Sequence, residues 1–519
     1  MWQKNLPVRK VLMDRVFNFD VFEENWPTAE LVVGEKELNF NHLKIDSRAL
    51  KSGDGFVACV GHKLDGRQFI DSAIEQGAKL ILAEAAGFDR DKVSHISEQS
   101  VTLVLVEALN EHLSDIAALL YGNPSENILT IGVTGTNGKS SCVQMLAQAL
   151  HLIDGCCWTM GTLGCGPFGA QIENENTTAD PITIQRELNK AVSYGCANTA
   201  MEVSSHGLVQ NRVASVKFDF AVFTNLTHEH LDYHKTMDAY GEAKRQLFLG
   251  ESLKWAIINV DDKFGRKLKK DSAITANKIF LSLKEPTEGA DLRQWIWVED
   301  IRLTLKGIRA NVFTPWGQGK IKVPLIGRFN LNNILSVVAV LGVKLQNADE
   351  VFKIVNQLTS VAGRMQLIRE DDKPLIIVDY AHTPDALEQA LMATREHCNG
   401  KIVTVFGCGG DRDSAKRPLM ARVAEKYSNA VIFTDDNPRT ETPETIIDDM
   451  RAGLKNPDKV TYVSDRKQAI EQAVASVSSL DVVVIAGKGH EGYQIIGTTK
   501  HKLSDVTLAK DVLTGGRND

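Results

Sequence analysis

The sequence predicts an α/β protein of three domains, and three observations carry that prediction. The chain has 519 residues, and at roughly 150 residues per domain this is about three domains. An apolar run at 128–133 enters a glycine loop and then a helical pattern. Beyond residue 362 short apolar runs recur, most followed by a loop and a helix. Buried parallel strands read as such continuous runs.

The first domain, 1–124, alternates short strands with helices. Strands are read at 56–59, 80–83 and 103–106, and helices at 69–76 and 112–121. Tyr121-Gly122-Asn123-Pro124-Ser125 is turn punctuation and marks a boundary. The central domain, 125–362, opens with the strand, glycine loop and helix. In that helix Val143, Leu146, Ala147 and Leu150 recur at helical spacing. Further strands are read at 199–203 and 220–224. Between about 293 and 325 alternation of Trp, Ile, Val, Leu and Thr predicts an antiparallel β insertion with strands at 295–298, 301–305, 309–313 and 320–323. The last domain, 363–519, places strands at 375–378, 402–406, 430–434 and 482–486. Thr383-Pro384 and Thr442-Pro443 start two of its helices as N-cap plus N1 pairs.

Composition excludes several classes. Hydrophobic residues make 43% and charged residues 24%, so the chain is neither disordered nor fibrous. The net charge of −7 does not suit a nucleic-acid or anionic-membrane binder. The N-terminus lacks the apolar core of a signal peptide, and the most apolar stretch, 334–343, is too short to span a bilayer. Eight cysteines show no CxxC or framework spacing, so scattered free thiols in a reducing cytoplasm are expected.

Gly132-Val-Thr-Gly135-Thr136-Asn137-Gly138-Lys139-Ser140-Ser141 is the strongest local signal. Glycines let backbone N–H groups close around phosphate oxygens, and the helix N-terminus adds a positive end. Lys139 can reach β- and γ-phosphates and Ser140 can ligate Mg²⁺. The spacing is GxxGTxGKS, tighter than the ordinary phosphate loop, whose first glycine would fall on Val133. A P-loop-type ATP-binding domain is expected, although a tight strand–helix turn with a chance lysine shares the pattern.

Other candidates stay open on spacing alone. Glu202 ends an apolar run and is either a Mg²⁺ ligand at the ligand edge or a solvated strand-end carboxylate. His228-Glu229-His230-Leu-Asp232-Tyr-His234 is not HExxH, because position 232 is Asp; it is a metal-adjacent segment or a polar turn. Lys244 looks locally like any surface lysine. In the last domain four strand ends carry polar or glycine loops, at 379–382, 407–413, 435–439 and 487–491. Together they predict a Rossmann-like ligand crevice. Arg412 and Arg439 suit carboxylates and Glu491 suits an ammonium, as an amino acid requires.

Taken in order, LKIDSR (43–48), VGH (60–62), TGTNGKSS (134–141), ENTT (175–178), MEVSSHGLVQNR (201–212), FTNLTHEHLDYH (223–234), EAK (242–244), GRM (363–365), VDYAHTPDAL (378–387), FGCGGDRD (406–413), DDNPRTETP (435–443) and AGKGHE (486–491) resemble the Mur ligases. These are ATP-dependent amide-forming enzymes of bacterial peptidoglycan synthesis. The resemblance covers essentially the whole chain.

The resemblance implies ATP and Mg²⁺ as cofactors, with ATP held by Gly135, Thr136, Asn137, Gly138, Lys139, Ser140 and Ser141, and by Asp379 and His382. It implies Mg²⁺ on Ser140, Glu202, His230 and a carbamylated Lys244, with Lys139, Lys244, Glu202 and His230 as the catalytic set. It implies a UDP-MurNAc-L-Ala-D-Glu substrate on Ile45, Ser47, His62, Asn176, Thr177, Thr178, Ser204, Gln210 and Arg212. The incoming amino acid would lie on Arg412, Asp436, Asn437, Pro438, Arg439, Gly487 and Glu491. Arg439 would pair with the second carboxylate of meso-diaminopimelate, which lysine lacks. Small-molecule partners and a monomer are expected. The pattern departs from the family at His228-Glu229, where Arg-Asp is expected. A lysine-adding sibling is disfavoured by Arg439, a folylpolyglutamate-type synthase by the first domain, and a non-catalytic phosphate-loop protein by the intact Lys139, Glu202, His230 and Lys244.

Overall fold

The structure is a computed structural model that describes residues 15–61, 64–174 and 176–515. The chain separates into two compact units, Met1–Ile258 with Asp262–Lys278, and Asn259–Asp261 with Ile279–Asp519.

The N-terminal part of the first unit carries β1 (Arg15–Asn18), β2 (Glu30–Val33), β3 (Glu37–Phe40), β4 (Leu43–Lys44), β5 (Gly55–Ala58), β6 (Leu80–Glu84) and β7 (Thr102–Val106). β1 and β3 form an antiparallel ribbon. The other five make a sheet in the order β2-β7-β6-β5-β4, parallel except for β2. β5, β6 and β7 are buried throughout, which is why they read as unbroken apolar runs. The helix Leu109–Leu120 begins earlier than the sequence suggests. Its start has no local cap; the Glu84 carboxylate, at the end of β6, accepts the N–H groups of Ala108 and Leu109 instead.

The second part of this unit contains β8 (Leu129–Thr134), β9 (Cys157–Gly161), β10 (Gly164–Pro167), β11 (Asn198–Glu202), β12 (Phe220–Phe223) and β13 (Trp255–Asn259) in the order β10-β9-β11-β8-β12-β13. All but β10 run parallel. The register aligns Glu202 with Val133 and Phe223 with Thr134, so three strand ends open side by side. One expectation is corrected here. Cys156 and Cys196 form a disulfide, with Cα atoms 5.0 Å apart. They lie 40 residues apart in the chain, where β9 and β11 start as neighbours, so spacing could not reveal the pair.

The second unit begins with β14 (Asn277–Ser282), β15 (Trp295–Thr304), β16 (Gly307–Thr314) and β17 (Gly317–Val323). β15, β16 and β17 form the expected antiparallel meander, but with three strands instead of four. The stretches 295–298 and 301–305 belong to one strand broken by a bulge between Glu299 and Arg302, where Asp300 takes φ +52°. A bulge shifts the alternation by one residue and imitates a turn. The apolar stretch 334–343 lies within the helix Arg328–Leu345. No helix among the described residues is long and apolar enough to cross a membrane.

The C-terminal part carries β18 (Gln366–Ile368), β19 (Leu375–Asp379), β20 (Ile402–Phe406), β21 (Ala430–Phe433), β22 (Val460–Tyr462) and β23 (Val482–Ala486) in the order β18-β19-β23-β20-β21-β22. All but β18 are parallel. Helices cover both faces, each with its own apolar core. Fully buried Phe406 and Phe433 in one of them contribute about 1.5–3 kcal/mol each by burial. Thr383 caps its helix through Ala386 N–H as expected. Thr442 precedes its helix but makes no side-chain cap; its hydroxyl meets that of Thr445. The hairpin β24 (Tyr493–Ile496) and β25 (Thr499–Lys502) closes the sequence of strands.

Candidate functional site

In the first unit the glycine loop joins β8 to the helix Lys139–Asp154. Gly138 occupies the N-cap with φ +86° and Gly135 has φ +149°. A Cβ on Gly135 would fall 1.9 Å from Thr224 Oγ1, so this turn admits no side chain. The loop is tied to the segment after β12: Thr136 N–H donates to Asn225 O, Asn137 N–H to Asn225 Oδ1, and Thr224 Oγ1 to Asn137 O. Thr136 Oγ1 also lies 3.2 Å from the Tyr240 hydroxyl. Lys139 Nζ folds over this loop, donating to Gly135 O at 2.9 Å and Thr136 O at 2.8 Å.

Lys244 is not a surface lysine. It is 1% exposed, its Nζ donates to Gly135 O at 2.9 Å, and it lies 4.4 Å from the Tyr240 ring centre. Burial, and then the charge of Lys139, hold its pKa well below the ordinary lysine value.

Glu202 is likewise buried, at 3% exposure. Its Oε2 accepts the Ser140 hydroxyl at 2.9 Å and its Oε1 accepts Thr162 N–H at 2.8 Å. Gly161 leaves room for it, since a Cβ there would sit 2.3 Å from Oε1. His230 is exposed with φ +56° and stands farther out. Its ring centre is 6.0 Å from that of Tyr240 and 5.0 Å from that of His206. The polar-turn reading of 228–234 therefore describes His228 and Glu229, while His234 is buried with Nε2 2.9 Å from Ser205 Oγ.

A second group adjoins Glu202. Thr178 Oγ1 donates to Glu202 O and accepts Ser204 N–H, and Arg212 donates to Thr178 O at 2.6 Å. Arg212 also holds Gln210 Oε1. The Thr177 hydroxyl meets that of Thr162 at 3.1 Å, and Asn176 is exposed beside them in the chain. Ser47 is buried at the start of the short helix Ser47–Ala49, and Ile45 is 37% exposed just before it. His62 lies outside the described residues.

In the second unit the four parallel strand ends do open together. Asp379 accepts Met365 and Ala381 N–H groups; burial raises its pKa, opposed by Arg364 and those bonds. Next to it the Tyr380 ring packs against Arg364, His382 and His490. Asp436 and Asn437 are buried. Gly487, at φ +112°, sits against Asp436, where a Cβ would meet Oδ2 at 2.7 Å. Asn437 Nδ2 donates to Glu491 Oε2 at 3.1 Å. Arg439 also has a positive φ, +53°, fixed by its N–H to Ile495 O and its carbonyl to Gly497 N–H. Its guanidinium reaches Gly410 O at 2.8 Å. Arg439 and Arg412 both flank Gly409, and Pro438 O lies against Gly410.

Three family models match the chain: "Mur ligase family, catalytic domain" over 39–121, "Mur ligase middle domain" over 133–341, and "Mur ligase, glutamate ligase domain" over 363–489. A curated relative from Pseudomonas putida, named UDP-N-acetylmuramoyl-L-alanyl-D-glutamate–2,6-diaminopimelate ligase, is 45% identical over 478 residues, 91% of this chain and 94% of its own.

The chain belongs to the Mur ligase family.

A solved structure of a ligase with that same name aligns with TM-score 0.68 and 32% identity, covering 97% of this chain and 99% of that one. The fold also matches a Mur ligase from Thermotoga maritima solved in complex with ADP, at TM-score 0.60, 18% identity, 92% of this chain and 96% of that one.

In this Mur ligase the candidate sites also contact residues that the motifs alone did not single out. Thr162 and Tyr240 brace the Glu202 and Lys244 side. Arg364 packs on Tyr380. Lys488 is fully buried against Asn437 and Glu491, and Arg466 and Asp505 form a buried pair at 2.6 Å behind Asp436. Lys488 lies inside AGKGHE, so the signal was present without a role. Arg466 lies in no quoted motif.

Proposed function

We infer that this Mur ligase is the ATP-dependent enzyme that adds meso-diaminopimelate to the D-Glu of UDP-MurNAc-L-Ala-D-Glu in cytoplasmic peptidoglycan precursor synthesis. The Asp436–Arg439 loop carries the reading. It sets a guanidinium at one side and joins Glu491 at the other, which suits an amino acid with charged groups at both ends. The relatives' shared name supports the same substrate pair.

The chemistry follows from charge. A D-Glu carboxylate oxygen attacks the γ-phosphorus of ATP, the bond to ADP breaks, and an acyl phosphate forms. The free amine of diaminopimelate then attacks the acyl carbon, phosphate leaves, and the amine loses a proton. Anions must approach one another in the first step, so preorganised positive groups dominate its barrier. We assign Gly135 through Ser141 to the phosphates, with Lys139 as the cation, and Asp379 and His382 to the nucleotide. Ile45, Ser47, Asn176, Thr177, Thr178, Ser204, Gln210 and Arg212 are assigned to the UDP substrate, with His62 from the motif alone. Arg412, Asp436, Asn437, Pro438, Arg439, Gly487 and Glu491 are assigned to the amino acid. The three-domain division at 124 and 362 is part of the same reading.

The donor set around Glu202 fits Mg²⁺, a hard cation that takes oxygen ligands. Among the described residues no three His, Cys, Asp or Glu side chains gather as a metal site by themselves. Ser140, Glu202, His230 and a carbamate on Lys244 would therefore hold the ion beside phosphate oxygens. When bound it supplies charge neutralisation for the phosphoryl group. A carbamate forms when a neutral amine attacks CO₂ and releases a proton. The buried, charge-depressed Lys244 amine suits that step.

Phosphate release from ATP and UDP-MurNAc-L-Ala-D-Glu, measured with diaminopimelate or lysine, tests the reading. Diaminopimelate should support turnover and lysine should not. Arg439→Ala should raise KM for diaminopimelate by about 30-fold or more, the equivalent of about 2 kcal/mol from one lost charge pair. An unchanged diaminopimelate KM with impaired UDP-substrate binding would refute the assignment of Arg439.

A further inference from the structure

Lys488 has the form of a structural residue and the location of a specificity residue. Its side chain is wholly buried, at 0% exposure. Its ammonium donates to Asn437 Oδ1 at 3.0 Å and to Glu491 Oε2 at 3.1 Å. Asn437 Nδ2 donates to the same Glu491 oxygen at 3.1 Å. The three side chains thus close a triangle between the 435–439 loop and the 487–491 loop. Asn437 is anchored in turn, since its Oδ1 accepts Ile495 N–H at 2.8 Å from β24.

The geometry of Glu491 is asymmetric. Both bonds land on Oε2, and the Glu491 side chain remains 18% exposed. Two donors on one oxygen hold that end of the carboxylate in place and leave Oε1 outside both bonds. A carboxylate fixed in this way presents one oxygen to an incoming ammonium at little further entropic cost. Without the lysine, Glu491 would keep only the bond from Asn437, and Asn437 Oδ1 would lose one of its two donors.

We propose that Lys488 is a positioning residue for amino-acid selection: it aims Glu491 Oε1 at the ammonium of the incoming diaminopimelate and locks that arm to the Asn437–Arg439 arm. This rests on the function inferred above and adds the device that sets the spacing between the pocket's two charged ends.

The test is steady-state kinetics on the full chain with Lys488→Met, Glu491→Gln and the double variant. Lys488→Met should raise KM for diaminopimelate by about tenfold or more, leave KM for ATP and for the UDP substrate within twofold, and keep most of kcat. Because Lys488 acts through Glu491, the double variant should be no worse than Glu491→Gln alone. An unchanged diaminopimelate KM, an equal rise in all three KM values, or additive losses in the double variant would each overturn the proposal. Lys488→Arg keeps the charge and displaces the donor. If Lys488→Met does not fold, this variant decides, with a diaminopimelate-specific KM rise expected and wild-type kinetics overturning the idea. A wild-type chain that cannot use diaminopimelate at all would instead refute the inferred function.

Discussion

Gly161→Ala tests how closely the phosphate-side chemistry depends on the Glu202 carboxylate. Gly161 ends β9 beside Glu202 on β11. An added methyl would lie 2.3 Å from Glu202 Oε1 and 2.8 Å from its Cγ and Cδ. Ordinary contact begins near 3.4 Å, so the carboxylate must retreat by 3.4 − 2.3 = 1.1 Å. That displacement strains both the bond from Ser140 and the bond from Thr162 N–H, at 2.9 and 2.8 Å. Misplacing a catalytic group by ~1 Å costs on the order of 10²-fold in rate, or about 2.7 kcal/mol of barrier. The moving atoms end a side chain, so the fold should survive with a small loss of melting temperature. ADP release at saturating concentrations of all three substrates measures the effect. Gly250→Ala serves as the control, because a Cβ there meets nothing within 4 Å. A Gly161→Ala enzyme with kcat within twofold of wild type would show that Glu202 is not where the reaction needs it.

Two other expectations follow from buried basic side chains. Lys244 has a depressed pKa, so its amine stays neutral to a lower pH than an exposed lysine would; turnover should fall several-fold in carbonate-depleted buffer, fall further on acidification as the amine protonates, and recover with bicarbonate, whereas Lys244→Arg should show no bicarbonate response. Equal rates with and without bicarbonate would count against the carbamate. Arg466 and Asp505 are both 0% exposed and joined at 2.6 Å; Arg466→Met strands a buried carboxylate and should cost about 3–5 kcal/mol of stability by denaturant unfolding, and a loss under about 1 kcal/mol would refute that account.

The features legible in the sequence are those whose partners are neighbours along the chain. The glycine loop, the helix after it and the apolar parallel strands all announce themselves within about ten residues. Contacts that depend on which strands lie side by side do not. Ser140 and Glu202 are 62 residues apart and meet because β8 and β11 are adjacent. Lys244 is 109 residues from the carbonyl it touches, and local pattern gave no reason to bury it. The Glu84 cap of a helix 25 residues away, the Cys156–Cys196 pair and the bulge at Asp300 escaped for the same reason. Family resemblance named Lys244 and His230 as candidates, because a motif preserves positions whose contacts it does not display.

The kind of oxygen each cation meets separates the two duties that positive charge performs here. Arg466 is held by Asp505, Arg417 by Glu441 and Asp449, and Arg67 by Asp65. These carboxylates cancel the charge, and the pairs act as braces. Arg212 instead donates to the carbonyl of Thr178, and Arg439 to those of Gly410 and Asn437. A carbonyl dipole satisfies a donor without neutralising a full charge, so these cations can still attract an anion. An acidic chain with net charge −7 can therefore serve anionic substrates, because these guanidiniums keep their charge at the positions assigned to the substrates. Lys488, bound to Glu491, falls with the braces. That placement is what makes it a positioning residue instead of a contact for the substrate.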